Sequence, residues 1–237
     1  SRKSINGAVV LARESSTGAW SPEDLDLAEE VALQLATAIE QYRGHARLEA
    51  LSRTDELTKL LNRRAFFAEL SSRLERNSAG RTSAALFFVD LDNFKRVNDV
   101  HGHQRGDEVL KAVAELLRVN SRPGDLVARL GGDEFALWLD RTDGGAVAGR
   151  AEQLLGAAQS LRRFSGDESH PLGISMGVAV VAPQSTESVE QVTARADDAM
   201  YAVKRRSKGS YAIAGTDGVL RERAAPSAPA GPERIRA

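Results

Sequence analysis

No cysteine occurs in the 237 residues, which excludes disulfides, thiolate zinc sites and a cysteine nucleophile and leaves metal chemistry to oxygen ligands and histidine. Any resident metal is therefore expected to be a hard one. Long hydrophobic runs are missing too: the longest, such as Ala84–Val89, fall far short of the roughly 20 residues that span a bilayer. No charged-then-apolar leader opens the chain. Together these absences predict a soluble, cytoplasmic protein with no membrane partner. Charge of one sign is also lacking. Lys+Arg 32 against Asp+Glu 33 leaves a formal net charge of -1, so nothing draws the whole chain to nucleic acid and phosphate binding must come from local clusters. Aromatics are scarce at 5%, yet hydrophobic residues reach 42% and charged residues 27%, close to the average for globular chains. Such a composition supports a buried core, as one medium domain with attachments or two small ones, and excludes fibrous and disordered classes.

The first residue is Ser1, and the apolar run Ile5–Ala12 has nothing before it to pair with, which predicts a sequence that begins inside a larger protein. Ser21-Pro22-Glu23-Asp24 then supplies a capping hydroxyl, a proline at the first helical position and acids in the first turn. Leu27, Val31, Leu35, Ala38, Tyr42 and Leu48 leave one apolar stripe on a helix predicted to reach about Leu51. The stripe reads either as packing on a domain outside the sequence or as a coiled-coil connector. From Asp55 the pattern changes. A helix is predicted from Arg64 to Arg76, a strand over Ala84–Asp90, a helical stretch over Gly106–Val119, and two strands, Leu126–Leu130 and Phe135–Leu139, joined by Gly131-Gly132-Asp133-Glu134. A helix over Ala146–Phe164, a strand over Gly173–Val181, a helix over Ser188–Arg206 and a short strand, Tyr211–Ala214, follow. This order predicts an α+β fold close to the ferredoxin-like palm, with one face of a mainly antiparallel sheet covered by helices. After Gly215 the chain turns Ala-, Pro-, Gly- and Arg-rich, so residues 216–237 are predicted to be a disordered tail.

Two acidic clusters fall at predicted strand ends. Val89-Asp90-Leu91-Asp92 closes an apolar strand with carboxylates, and Asp133-Glu134 sits at the tip of the glycine hairpin, where glycines let the backbone take positive φ. If the strands are neighbours, the clusters share one edge, and carboxylates with a backbone carbonyl there suit Mg²⁺ or Mn²⁺. Taken singly, each acid is an ordinary turn former. Lys95 follows Asp90 by five residues, with Asn98, Asp99, His101, His103 and Asp107 close behind. A lysine there can neutralise phosphate, and an Asn and Asp pair can read a guanine edge. Late in the chain, Lys204 and Lys208 share one side of a helix whose other side is apolar; alone they read as a solvated helix end.

Gly131-Gly132-Asp133-Glu134-Phe135 resembles the signature of the GGDEF domain of diguanylate cyclases, and four further blocks stand in that family's order. Asp55 to Arg64 resembles its entry motif, with Lys59 where glycine is usual. Phe88 to Asp107 resembles its metal and guanine block, Gly173-Ile174-Ser175-Met176-Gly177 its later strand, and Ala196 to Lys208 its closing helix. The likeness covers about residues 53 to 214. It implies a nucleotidyl-cyclase palm that condenses two GTP into cyclic di-GMP, releasing two pyrophosphates, with each of two facing domains holding one GTP. It further implies that Asp90, the Leu91 carbonyl and Asp133 bind Mg²⁺ or Mn²⁺, two cations per GTP site, with Asp133, Glu134 and Lys95 in catalysis. Lys95, Lys204 and Lys208 would contact phosphates, Asn98 and Asp107 guanine, and Phe94 the substrate. Arg122 and Asp125 stand where the family binds its inhibitory product; without the resemblance, Arg122-Pro123-Gly124-Asp125 is an ordinary turn. The implied partners are GTP, cyclic di-GMP and a second copy of the chain, with no nucleic acid. A binding module that senses GTP or cyclic di-GMP without making it is the alternative. Ser207-Lys208 departs from the family's usual Gly-Arg, replacing a bidentate grip by a point charge, and His101 and Gln104 depart from a usual aromatic and acid. Upstream, Gly7 to Gln41 resembles the end of a GAF domain, so residues 1–52 are expected to be a GAF-like remnant and connector helix before a cyclase domain at 53–215.

Overall fold

A computed structural model describes residues 12, 20–51, 53–79, 81–142, 144–167, 169–206, 208–215 and 220–223, with the side chains of 42–51 and 220–223 outside the description. Residues 5–11 of the predicted strand, and residues 7–11 and 13–19 of the GAF-like stretch, lie outside the described residues. The chain divides into two units, Ser1–Ser52 and Arg53–Ala237. In the first, helix α1 runs Pro22–Leu51. Its start is a reciprocal cap: Ser21 Oγ accepts from the Asp24 N–H at 3.1 Å, and Asp24 Oδ2 accepts from the Ser21 N–H at 2.9 Å. Leu27, Val31 and Leu35 of the expected stripe are exposed, as are Leu25, Leu33 and Ile39. No helix of the described residues is long and apolar enough to cross a membrane.

The second unit runs β1 (Leu61–Asn62), α2 (Arg63–Ser78), β2 (Ser83–Asp92), α3 (Phe94–His101), α4 (His103–Val119), β3 (Leu126–Gly131) and β4 (Glu134–Thr142). It continues through α5 (Gly144–Ala158), a 3₁₀ turn (Gln159–Phe164), β5 (Gly173–Val181), α6 (Val189–Arg206), β6 (Tyr211–Ala214) and β7 (Leu220–Arg223). The sheet order is β1-β3-β4-β2-β5-β6-β7. β2 lies antiparallel between β4 and β5, while β1/β3 and β5/β6 are parallel pairs. The α+β palm expected from the element order is the fold.

Helices cover both sheet faces, which corrects the expectation of one. Successive residues of β2 point to opposite faces. Ala85, Phe87, Val89 and Leu91 pack with Val109, Val113 and Leu117 of α4 and Val147 and Leu154 of α5. Ala84 and Leu86 pack with Phe66, Leu70 and Leu74 of α2 and Val192 and Ala196 of α6. A strand buried on both sides reads as a continuous apolar run, which is what Ala84–Val89 is. Helix α3 was not expected; it has eight residues and one buried side chain, Val97, so it carries almost no periodic signal. The predicted helix over Ala146–Phe164 is α5 followed by the 3₁₀ turn. Strand β7 falls inside the stretch expected to be disordered: Leu220–Arg223 pairs antiparallel with β6, and the rest of 216–237 lies outside the described residues.

Candidate active site

The even positions of β2 face α2 and α6, so Asp90 and Asp92 emerge on the side of the sheet where α6 ends. In register, Asp90 stands opposite Glu134 of β4 and Ser175 of β5. The Leu91 N–H donates to the Asp133 carbonyl at 3.3 Å, which ties the hairpin tip to the end of β2. The two acidic clusters therefore meet at one sheet edge. Asp90 is 9% exposed, and Lys204 Nζ lies 2.6 Å from its Oδ2. Burial pushes the Asp90 carboxyl above its ordinary range, and the Asp133 charge pushes the same way against the opposing pull of Lys204 and Lys208.

A buried carboxylate under this pressure is a place for positive charge, and an ammonium already sits on it. The oxygen donors of Asp90, Asp133 and the Leu91 carbonyl fit a small hard cation in chemistry. Among the described residues no three His, Asp or Glu side chains are gathered closely enough to hold a metal by themselves. Glu134 is exposed beside Asp133.

The hairpin tip takes positive φ at Gly131 (146°) and Gly132 (49°), and Arg129 clamps it. Its Nε and Nη2 donate to the Gly132 carbonyl at 3.0 and 2.8 Å, while Nη1 reaches both Asp55 carboxylate oxygens at 3.3 and 3.2 Å. Burial pushes the Asp55 carboxyl up, but hydrogen bonds from Thr58 and the Arg129 charge outweigh it and hold the group below its usual value. The entry motif is thus part of the site's frame. Lys59, which replaces the usual glycine there, takes φ 61°, a conformation glycine adopts without strain.

On the other side of the β2 end, α3 carries Lys95 and Asn98. The helix is fastened by the Arg96–Asp167 ion pair and by Asn93 Nδ2 donating to the Pro171 carbonyl at 2.9 Å. Asn98 Oδ1 lies 2.0 Å from where a Cβ at Gly106 would stand, so only glycine lets this side chain settle against α4. Asp107, next in sequence, is exposed, Lys95 is exposed, and Phe94 is half-buried. Lys208 lies beyond the end of α6 at Arg206, not on the helix beside Lys204 as expected, but its Nζ donates to Asn93 Oδ1 at 2.8 Å, which still brings the late basic pair to the same edge. Asp92, only 4% exposed, accepts from Ser175 Oγ and the Gly209 N–H. Two cavities flank the edge. One of about 620 Å³ runs between α2 and α6 past Phe67, Phe88, Tyr201 and Lys204 to Asp90. The other, about 470 Å³, lies beside Asn93, Arg162, Leu172 and Lys208.

Arg122 and Asp125 lie together on the turn before β3, where the Arg122 N–H donates to Asp125 Oδ2 at 2.8 Å and Gly124 takes φ 102°. Arg150 of α5, which the sequence reading did not single out, lines the same shallow dip and is held by the Asn120 carbonyl. Only the fold brings it there.

A mixed sheet with helices on both faces and carboxylates gathered at the ends of its central strands defines a nucleotidyl-cyclase palm. Residues 52–210 match the family described as diguanylate cyclase, GGDEF domain. The chain is 39% identical over 161 residues to diguanylate cyclase TpbB of Pseudomonas aeruginosa, covering 68% of this chain and 37% of that protein. To diguanylate cyclase DgcM of Escherichia coli it is 37% identical over 165 residues, covering 70% and 39%. The chain thus spans less than two fifths of the length of either relative. The solved GGDEF domain of DgcB from Caulobacter crescentus in complex with c-di-GMP superposes with a TM-score of 0.60 at 32% identity, over 70% of this chain and 96% of that one. The chain belongs to the GGDEF diguanylate cyclase family.

Proposed function

We propose that the Arg53–Ala237 unit is one half of a diguanylate cyclase that joins two GTP molecules into cyclic di-GMP. The observation that carries the reading is the Asp90, Asp133 and Lys204 cluster at the end of the central strand, in a chain whose relatives bear that activity in their names. In this reading each 3′-hydroxyl attacks the other GTP's α-phosphorus, a P–O bond forms, and pyrophosphate leaves with the electron pair of the broken bond. Lys95, Lys204 and Lys208 bind the phosphates, and Lys204, 42% exposed, turns from Asp90 to a phosphate oxygen. Asp133 accepts the hydroxyl proton. Asp90, Asp133 and the Leu91 carbonyl would hold Mg²⁺ or Mn²⁺, which would supply charge neutralisation at the phosphates. Glu134 supports that carboxylate edge, and Phe94 contacts the nucleotide beside Asn98.

One domain presents one such edge, so turnover requires a second copy. The exposed apolar residues of α1 support pairing, and we retain residues 1–52 as a GAF-like end and connector that passes a signal. Incubation with GTP and Mg²⁺ tests the reading, with cyclic di-GMP and two pyrophosphates per product expected.

Guanine selection is assigned to Asn98 and Asp107. Asp107→Ala is expected to weaken GTP by about ten-fold to a hundred-fold, the value of a hydrogen-bonded pair lost at a base edge, while weakening the hypoxanthine nucleotide, which lacks the N2 amine, far less. Equal losses by titration calorimetry would show that Asp107 does not read that amine.

Arg122 and Asp125, with Arg150 beside them, form in this reading an inhibitory product site. An arginine fork grips a phosphate or stacks on guanine while the aspartate accepts from the guanine edge. Arg122→Ala is expected to relieve inhibition by added cyclic di-GMP without lowering the initial rate. An unchanged inhibition curve would mean that the segment is only a turn.

A further inference from the structure

We propose that Asp92 is a positioning residue that sets the place of Lys208 by gripping the turn between α6 and β6; the inference rests on the reading of Lys208 as a phosphate contact. Asp90 and Asp92 lie two apart on one strand and face the same way, yet their surroundings assign them different work. Asp90 meets the ammonium of Lys204 at the open edge. Asp92 is turned into protein: both of its oxygens accept from Ser175 Oγ, at 2.8 and 2.9 Å, and Oδ2 also accepts from the Gly209 N–H at 2.8 Å. The same N–H lies 3.2 Å from Ser175 Oγ, which closes a three-membered network across β2, β5 and the turn. Although it borders the cavity beside Asn93 and Lys208, this carboxylate is engaged by protein donors.

What it holds is the residue after Lys208. Gly209 takes φ 73°, so the turn has a backbone shape that its N–H bond to Asp92 fixes. Asn93, the neighbour of Asp92, accepts from Lys208 Nζ at 2.8 Å. Two consecutive residues at the end of β2 therefore hold the backbone beside Lys208 and its side-chain tip. Where an arginine fork would supply its own planar geometry, a lysine is a point charge on a flexible stem, and its aim depends on where the main chain starts it. Losing Asp92 leaves the buried Ser175 hydroxyl without its acceptor and the half-buried Gly209 N–H with only the longer 3.2 Å bond to Ser175 Oγ, so the turn is held less firmly.

The test measures equilibrium binding of GTP and of GMP to the full chain, at concentrations too low for turnover. GMP lacks the β- and γ-phosphates and reports on base and ribose contacts. Asp92→Ala is expected to weaken GTP about ten-fold and leave GMP unchanged. Asp92→Asn, which keeps an acceptor for Gly209, is expected to restore most of the affinity. Adding Lys208→Ala to Asp92→Ala is expected to cost little more, because the lysine is already misplaced. Equal losses for GTP and GMP, or losses that add in the double variant, overturn the proposal. If Asp92→Ala does not fold, Ser175→Ala takes its place, with a several-fold loss for GTP alone expected and an equal loss for GMP overturning it. Amide hydrogen exchange at Gly209 in the nucleotide-free protein supplies a readout independent of the phosphate reading. It is expected to speed up in Asp92→Ala and to stay slow in Asp92→Asn, and unmodified protection in Asp92→Ala overturns the latch. If exchange responds as expected but Lys208→Ala alone leaves GTP affinity unchanged, the reading of Lys208 falls, and the positioning role with it.

Discussion

Asp90→Asn and Asp133→Ala are each expected to lower cyclic di-GMP formation by about a thousand-fold or more while leaving the fold intact. The loss is large because both carboxylates serve charge that develops at the phosphates, and in phosphoryl transfer the protein contributes mainly positioning and electrostatics. The fold survives for a reason visible at the site. Burial and the Asp133 charge both disfavour the ionised Asp90, so an amide there removes a penalty. Lys204, 42% exposed, can take its ammonium back to water. Thermal melting within a few degrees of the unmodified protein, together with lost product, is the expected pair of results. Product formation at the unmodified rate by either variant would contradict the assignment of these carboxylates.

Gly177→Ala is expected to be the most damaging single methyl group in the domain. A Cβ there would stand 2.2 Å from the Ala196 carbonyl oxygen, 2.3 Å from the Met200 nitrogen and 2.7 Å from the Met200 Cα. All three are backbone atoms of α6, so no side chain can move aside. The helix itself must lift from β5, at a cost of about 3 kcal/mol, near the upper end for overpacked cores. For a domain of this size that is on the order of 6 to 12 °C in melting temperature. Because α6 carries Lys204 to Asp90, activity is expected to fall as well. A melting temperature within about 2 °C of the unmodified protein would show that α6 tolerates the shift.

The sequence was most legible where punctuation and periodicity agree. The expected limits of β5 and β6 are the observed ones, and the apolar side expected of the helix over Ser188–Arg206 is the buried side of α6 at Val192, Ala196, Ala199, Met200 and Val203, while Val189 is only half-buried. Asp90 and Glu134 at one edge followed from a strand ending in acids and a glycine hairpin ending in acids. What stayed hidden depends on contacts between distant segments. Arg129 and Asp55 are 74 residues apart, Asp92 and Gly209 117 residues apart, and neither spacing carries a local signal. Arg150 reaches the turn of Arg122 and Asp125 only because α5 packs beside it. The covered second face was legible in principle, since Ala84–Val89 has no polar alternation, but the element order alone suggested a single layer of helices. Strand β7 is Leu-Arg-Glu-Arg, a stretch that is invisible to a hydrophobic pattern.

The most direct measurement is the initial rate of formation from GTP and Mg²⁺ of a product identified by mass as cyclic di-GMP, taken across protein concentrations below and above the measured dimerisation range. Two half-sites that must meet give a specific activity that climbs with concentration and levels off once the chain is dimeric. No cyclic di-GMP at any concentration, or a specific activity that stays constant from monomer to dimer, would contradict the account.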